Sequence, residues 1–192
     1  MIKLLVLVSG LIVAAPEAGD ERLEVNVSTS NVKWIGAKIG GSHNGSITLT
    51  KGVLDMEKGL LKGGSFVIDM KTISCEDLQG KYKGKLEDHL KSDDFFSVET
   101  FPSASFIITK SVPQGPGAYD VEGDLTIKGI TKSIKFPALV EETDGGYIAT
   151  ADITVDRSEY DVKHRSSSFF DGLGDRVIYD EFTLAVNLTA SK

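Results

Sequence analysis

Phe182-Thr183-Leu184-Ala185-Val186-Asn187-Leu188 puts a large apolar residue at every second position, with small or polar residues between. A period of two marks a β-strand with one face buried and one wet, because successive side chains leave the pleated backbone on opposite sides. The same beat runs through Leu125-Thr126-Ile127-Lys128 and Ser133-Ile134-Lys135-Phe136. Phe66, Ile68 and Met70 share one parity, as do Ala104, Phe106 and Ile108. Eight strands follow from this reading, at 32–40, 43–53, 60–70, 103–111, 118–128, 132–140, 146–156 and 177–189. The segment 23–28 is a candidate for a further, irregular strand.

Short Gly-bearing connections join most neighbours, among them Gly40-Gly41, Met56 to Gly59, Lys128 to Thr131 and Asp144-Gly145-Gly146. They suit hairpins, where positive φ is needed. Hairpin follows hairpin with no βα spacing, so the expected fold is all-β, an eight-stranded antiparallel up-and-down barrel, with a two-sheet sandwich as the competing architecture. Closing the sheet buries one face and removes its edges. One short helical excursion is expected between the third and fourth strands. Ser74 is placed to cap it, and Leu78, Tyr82, Leu86 and Leu90 recur every four residues. In such a barrel both long excursions, 71–102 and 157–176, fall on one rim, and the opposite rim carries only terse turns. Function tends to sit on elaborated loops over a rigid scaffold, so the entrance to any cavity belongs at the long-loop end.

The inward face then includes Phe66, Ile68, Phe106, Ile108, Leu125, Ile127, Ile134, Phe136, Ile153, Val155, Phe182 and Leu184. Alternation alone does not distinguish a hollow lined by these residues from a small barrel plugged by them. Candidates for the barrel mouth are His43, Phe95, Phe96, Arg157, Tyr160 and His164. His43 sits beside a hairpin turn as a hydrogen-bonding group. Phe95 and Phe96 anchor a loop that starts with Asp93-Asp94, and Arg157 is positioned to pair with Asp156, Glu159 or Asp175. Lys163-His164-Arg165 is a small basic cluster suited either to a polar headgroup or to solvent. His89, between Asp88 and Leu90, reads as a surface residue.

The chain has 192 residues and a net charge of −7, with no basic stripe, which argues against a nucleic-acid partner. Met1-Ile2-Lys3 precedes an apolar run from Leu4 to Ala15 and small residues up to Ala18, the layout of a secretory signal peptide over 1–18. The run is too short for a stable membrane span. The expected location is therefore periplasmic or secreted, with a single domain over 23–190. Cys75, the one cysteine, reads as a buried small hydrophobe more than a catalytic thiol. The spacing of the three histidines gives no metal motif, and no cofactor-binding or nucleophile-elbow motif is present.

Four segments together resemble the YceI-like family of periplasmic and secreted proteins. They are Gly41-Ser42-His43-Asn44-Gly45; Leu86 to Phe96 running into Phe101-Pro102-Ser103-Ala104-Ser105-Phe106; Gly123-Asp124-Leu125-Thr126-Ile127-Lys128-Gly129-Ile130-Thr131-Lys132; and Asp156-Arg157-Ser158-Glu159-Tyr160 with Gly174-Asp175. Their order extends across 32–190. One departure is Asp161, which stands where the family usually has Gly. The resemblance implies a lipocalin-like barrel whose pore holds an isoprenoid chain, such as a quinone tail or polyprenyl lipid. It implies a carrier or reservoir without enzymatic activity. Two rivals stay open: an enzyme acting on a hydrophobic substrate through His43 and Arg157, and a ligand-free stress-related interaction module. Oligomeric state is left open, a dimer included.

Overall fold

A computed structural model describes residues 19–191; the expected signal peptide lies outside the described residues. The chain runs β1 (Asp20–Val25), β2 (Asn31–Lys38), β3 (Gly41–Glu57), β4 (Leu60–Cys75), α1 (Gly80–Lys91), β5 (Ser103–Gly115), β6 (Ala118–Ile127), β7 (Ile130–Thr143), β8 (Gly146–Asp156) and β9 (Ile178–Ser191). Single 3-10 turns at Arg157–Tyr160 and Gly174–Arg176 interrupt the connection between β8 and β9.

Every strand pair is antiparallel, and the strands β2 to β9 close on themselves through the β3–β4 pairing. The barrel therefore has eight staves although the sheet has nine strands. β1 pairs with the far half of β3, from Val53 to Glu57, and touches the end of β9 at Ala190 and Ser191. β2 pairs with the near half of β3 and with β9. β1 and β2 thus act as one stave broken at Asn26–Ser30. The break is tied down by side chains: Ser28 N–H donates to Asn26 Oδ1, and the Ser30 hydroxyl receives the Thr189 N–H at 3.0 Å. The irregular strand expected at 23–28 is this lower half-stave, starting earlier and ending at Val25.

Tight hairpins follow from local chemistry. At the β6–β7 turn Lys128 and Gly129 both have positive φ, 49° and 73°, the conformation that matches the twist of the flanking strands.

Two details of the helix differ from expectation. The sequence predicts a cap at Ser74, but Ser74 and Cys75 belong to β4, where they pair with Ser46 and Gly45. The ladder competes for those backbone groups and wins. The helix starts at Gly80, after Gln79, which makes no side-chain capping bond. The Ser74 hydroxyl and the Cys75 N–H instead donate to Glu87 Oε1 on the helix, at 2.9 and 2.8 Å, and pin it to the barrel. Leu78, Leu86 and Leu90 pack onto Trp34, Ile73 and Cys75, whereas Tyr82 faces solvent. With β1 included in the numbering, the helix joins β4 to β5.

The terse-turn end of the barrel is packed. Leu54, Met56, Leu61, Tyr119, Val121 and Tyr147 are all buried there, and the Leu61 N–H donates to Tyr119 Oη at 3.2 Å. Higher up, Phe106 lies at the centre of an aromatic group, with ring centroids 6.4 Å from Phe66 and 5.4 Å from Phe136. Its ring covers Gly123, where an added Cβ would stand 2.4 Å from Phe106 Cζ and 2.4 Å from the Ile107 carbonyl oxygen. Gly123→Ala is expected to destabilise the fold by roughly 1–3 kcal/mol through overpacking. A denaturant midpoint equal to wild type would contradict that contact.

Candidate functional site

Between the packed floor and the long-loop rim the barrel is hollow. A deep cavity of about 110 Å³ is lined by Leu49, Phe66, Phe106, Ile108, Ile134, Phe136, Ala149 and Ile153, among others, and Thr150 is the one lining residue with a polar side chain. A larger cavity of about 400 Å³ opens above it toward the rim, lined by Trp34, Met70, Ile73, Leu86, Leu90, Phe95, Phe96, Ile127 and Phe182 together with a set of polar residues. Val32, Ile68, Leu125 and Leu184 line both, so the two adjoin along the barrel axis. The upper cavity alone falls within the roughly 300–1,000 Å³ of ligand sites. Ile134, Phe136, Ile153, Phe182 and Leu184 lie on these walls yet are only partly buried. Their free surface faces the hollow.

Of the residues expected to face inward, Val155 alone lies off both cavity walls; it is 1% exposed and packed within the core. Of the mouth candidates, His43, Phe95, Phe96, Arg157 and His164 line the upper cavity. Tyr160 does not. It is 1% exposed, packed into the core, with a hydroxyl that has no hydrogen-bond partner. Burial first, then Glu159 and Asp156, push its phenol up to about 12.

Arg157 is 3% exposed and bonded on every side. It donates to the carbonyls of Val162, Ile178 and Tyr179 at 2.7, 2.9 and 3.1 Å, and its Nη2 lies 3.1 Å from Asp180 Oδ1. The ion pair is formed with Asp180, not with Asp156, Glu159 or Asp175, because the loop folds back onto β9. Burial lowers the Arg157 pKa, opposed by Asp180 and Asp156. The guanidinium carbon also stands 5.6 Å from the centre of the Phe95 ring.

His43 Nδ1 lies 2.8 Å from Asp77 Oδ2, and since a carboxylate only accepts, Nδ1 carries the proton. Asp77 Oδ1 accepts from the Asn44 N–H at 3.0 Å and from the Cys75 thiol at 3.1 Å. The His43 bond, then the Asn44 bond, hold the Asp77 carboxyl far below the usual range. Cys75 is fully buried, which raises its thiol pKa. His43 and Arg157 share the cavity, but each is held by its own partners and no hydrogen bond joins them.

His89 departs from the surface reading. It lines the upper cavity, its ring centroid 4.6 Å from that of His164 and 5.0 Å from that of Phe95. Asp94 serves both histidines, at 3.2 Å from His89 Nε2 and 3.7 Å from His164 Nδ1. Burial, then His89, lower the His164 pKa. Two groups thus bring potential ligand atoms within 4.8 Å of one another, His43 with Cys75 and Asp77, and His89 with Asp94 and His164. Spacing in the chain gave no sign of either. Trp34 was also missed, although its parity with Val32 was readable.

A closed antiparallel barrel with an apolar hollow open toward a loop-rich rim defines the lipocalin-like class of fold. Within that class, a model described as the YceI-like domain matches residues 23–190, and the chain belongs to that family. A UPF0312 protein of Shewanella denitrificans is 42% identical over 65 residues, 32% of this chain and 34% of that one. A UPF0312 protein of Vibrio vulnificus is 44% identical over 50 residues, 26% of each chain. The chain thus spans about a third or less of the length of the curated relatives it matches. Among solved structures, BcnA of Burkholderia cenocepacia aligns with a TM-score of 0.66 at 21% identity, covering 85% of this chain and 98% of that one. A polyisoprenoid binding domain from Saccharophagus degradans, implicated in plant cell wall breakdown, aligns at 0.63 and 12% identity, covering 88% and 97%. These likenesses are of fold. No helix among the described residues is long and apolar enough to cross a membrane.

Asp161 has φ 59° and ψ 30°, the left-handed conformation a glycine takes most easily. Asp tolerates it, and Lys128 Nζ holds its carbonyl at 2.9 Å. Asp161→Val should be about 1–2 kcal/mol less stable than Asp161→Gly, because a β-branched residue clashes there; equal melting temperatures would overturn this. For Asp77 the folded pKa lies below the unfolded one, so its contribution is present at neutral pH and lost as pH falls through the folded value. Asp77→Asn is expected to cost roughly 1–2 kcal/mol at neutral pH. In urea titrations the gap to wild type should close as the pH drops below about 4. A gap indifferent to acid would contradict the assignment.

Proposed function

We propose that this protein binds a long isoprenoid-type lipid, a quinone tail or polyprenyl chain, in the barrel and carries or stores it in the periplasm or outside the cell. The observation that carries this reading is the run of apolar hollow from the mouth down to Ala149 and Ile153. Removing one methylene from water is worth about 0.8 kcal/mol, so each isoprene unit contributes roughly 3 kcal/mol gross. A few units outweigh the several kcal/mol lost in immobilising the ligand. The polyisoprenoid binding named for the Saccharophagus degradans domain agrees with this reading, as does the secretory layout of residues 1–18.

The role is binding, not catalysis. His43 and Arg157, the side chains an enzyme would call on, are held by Asp77 and by Asp180 with three backbone carbonyls. Those bonds fix the shape of the mouth.

Native mass spectrometry and organic extraction of the purified protein should reveal a co-purifying isoprenoid lipid. Stripped protein should bind polyprenyl alcohols with a change in the emission of Trp34, the single tryptophan, which stands on the wall of the upper cavity. Ala149→Phe, which fills the deep cavity, should shift the preferred tail to fewer isoprene units while leaving the fold intact. Ligand-free protein whose tryptophan emission ignores every polyprenyl alcohol would refute the carrier.

A further inference from the structure

The two long connections of the rim meet at three side chains to which an apolar tail gives no task. His89 stands in the last turn of α1, Asp94 in the loop that follows, and His164 in the connection between β8 and β9. Four strands, β5 to β8, separate His164 from the other two along the chain. In space, one potential ligand atom of each lies within 4.8 Å of the other two.

His164 is the member left incomplete. Its Nδ1 is 3.7 Å from Asp94 Oδ2, beyond hydrogen-bonding reach, and its Nε2 is buried without a partner. Both nitrogens of an imidazole call for a donor, an acceptor or a metal, and among the described residues no group hydrogen-bonds to either. Burial, then His89, favour the neutral form of His164, which is the form that binds a metal; Arg165 and Arg157 add to this and Asp94 opposes it. The charge of Arg157 is met by Asp180.

The three groups are already close to the spacing an ion needs. Phe95, itself buried, packs against both histidines, with ring centroids 5.0 Å from His89 and 5.5 Å from His164. Asp94 Oδ2 lies 3.2 Å from His89 Nε2 and 3.7 Å from His164 Nδ1. A tetrahedral ion about 2.1 Å from each ligand keeps its ligand atoms roughly 3.4 Å apart, a value that these two distances bracket. The Asp94 side chain is 63% exposed, so an ion can enter from solvent.

The other such trio, His43 with Cys75 and Asp77, is spent on itself. Asp77 accepts from His43 on one oxygen and from the Asn44 N–H and the buried Cys75 thiol on the other. No lone pair there is offered without first breaking those bonds.

We infer that His89, Asp94 and His164 form a binding site for a divalent transition-metal ion of the zinc class, which staples the two long rim connections together. Two imidazoles and one carboxylate suit Zn²⁺ and its first-row neighbours, whereas a single carboxylate supplies too few oxygens for Ca²⁺ or Mg²⁺. The inference is independent of the lipid-binding reading.

Chelator-treated full-length protein is titrated with Zn²⁺ by calorimetry and with Co²⁺ by absorption. Zn²⁺ should bind with a Kd in the micromolar range or below, and Co²⁺ should give d–d bands with no thiolate charge-transfer band. Excess Zn²⁺ should raise the melting temperature, since the ion binds the folded chain alone. In Asp94→Asn and in His164→Gln the affinity for Zn²⁺ should fall at least about tenfold, and the rise in melting temperature should shrink with it. Asp94→Asn alters an exposed side chain, so its metal-free fold should match wild type. His43→Gln should bind Zn²⁺ as wild type does. A wild-type Kd no tighter than about millimolar, an affinity unchanged in both ligand variants, or a thiolate band placing the ion at Cys75 would each overturn the assignment.

Discussion

Closure of the sheet through the β3–β4 pairing is the constraint on which the rest of the molecule depends. Strands of period two hide one face only if that face finds an opposite wall, and here it finds the far side of its own barrel. The size of an eight-stranded ring then decides what the interior can be. Near the floor, Tyr119, Tyr147, Met56 and Leu61 are large enough to meet across it. On the cavity walls Ala104, Ala138, Ala149 and Ala151 stand among the larger residues, and space is left between the opposite sides. Small residues interspersed among bulky ones, with no change in strand pattern, leave a container where a uniform set of large side chains would make a core.

The long-loop rim is held open by polar bonding, as apolar packing there would fill it. Arg157 fastens the connection between β8 and β9 through Val162, Ile178, Tyr179 and Asp180. A buried guanidinium is costly to desolvate, and it is tolerated here because every direction it presents meets an oxygen or the face of Phe95. Asp77 does the same for the first hairpin and the segment leading to the helix, gathering His43, Asn44 and Cys75 on one carboxylate. Both devices fix loop backbone without placing an apolar side chain across the opening.

The strand parities, the division of loops between two rims and the positions of most wall residues were legible in the chain, because they depend only on alternation and connection length. At Asp161 the sequence showed only a departure from the usual Gly; its left-handed backbone appears in the structure. What escaped depended on contacts that local pattern does not encode. The helix start moved from Ser74 to Gly80 because a ladder with β3 claimed Ser74 and Cys75. Asp180 was hidden as the partner of Arg157 because it becomes a neighbour only once β9 pairs with β8. His89, between Asp88 and Leu90 in the last turn of the helix, looked solvated because nothing local shows that the His164 ring packs against it.

The two halves of the site follow different rules of recognition. Apolar burial is roughly proportional to area and indifferent to the order of atoms in a tail, so the hollow sets length and girth more than chemical identity. Discrimination has to come from groups with direction and charge, and these are confined to the rim. The rigid fastening by Arg157 matters for that reason. A loop that wanders has to be ordered before any group on it can act, whereas Arg165 is already tied through its own carbonyl to Ile178, the β9 residue that faces Lys38. The apolar walls come from strand alternation and the polar rim from loop bonding, so each half of the hollow can vary without disturbing the other.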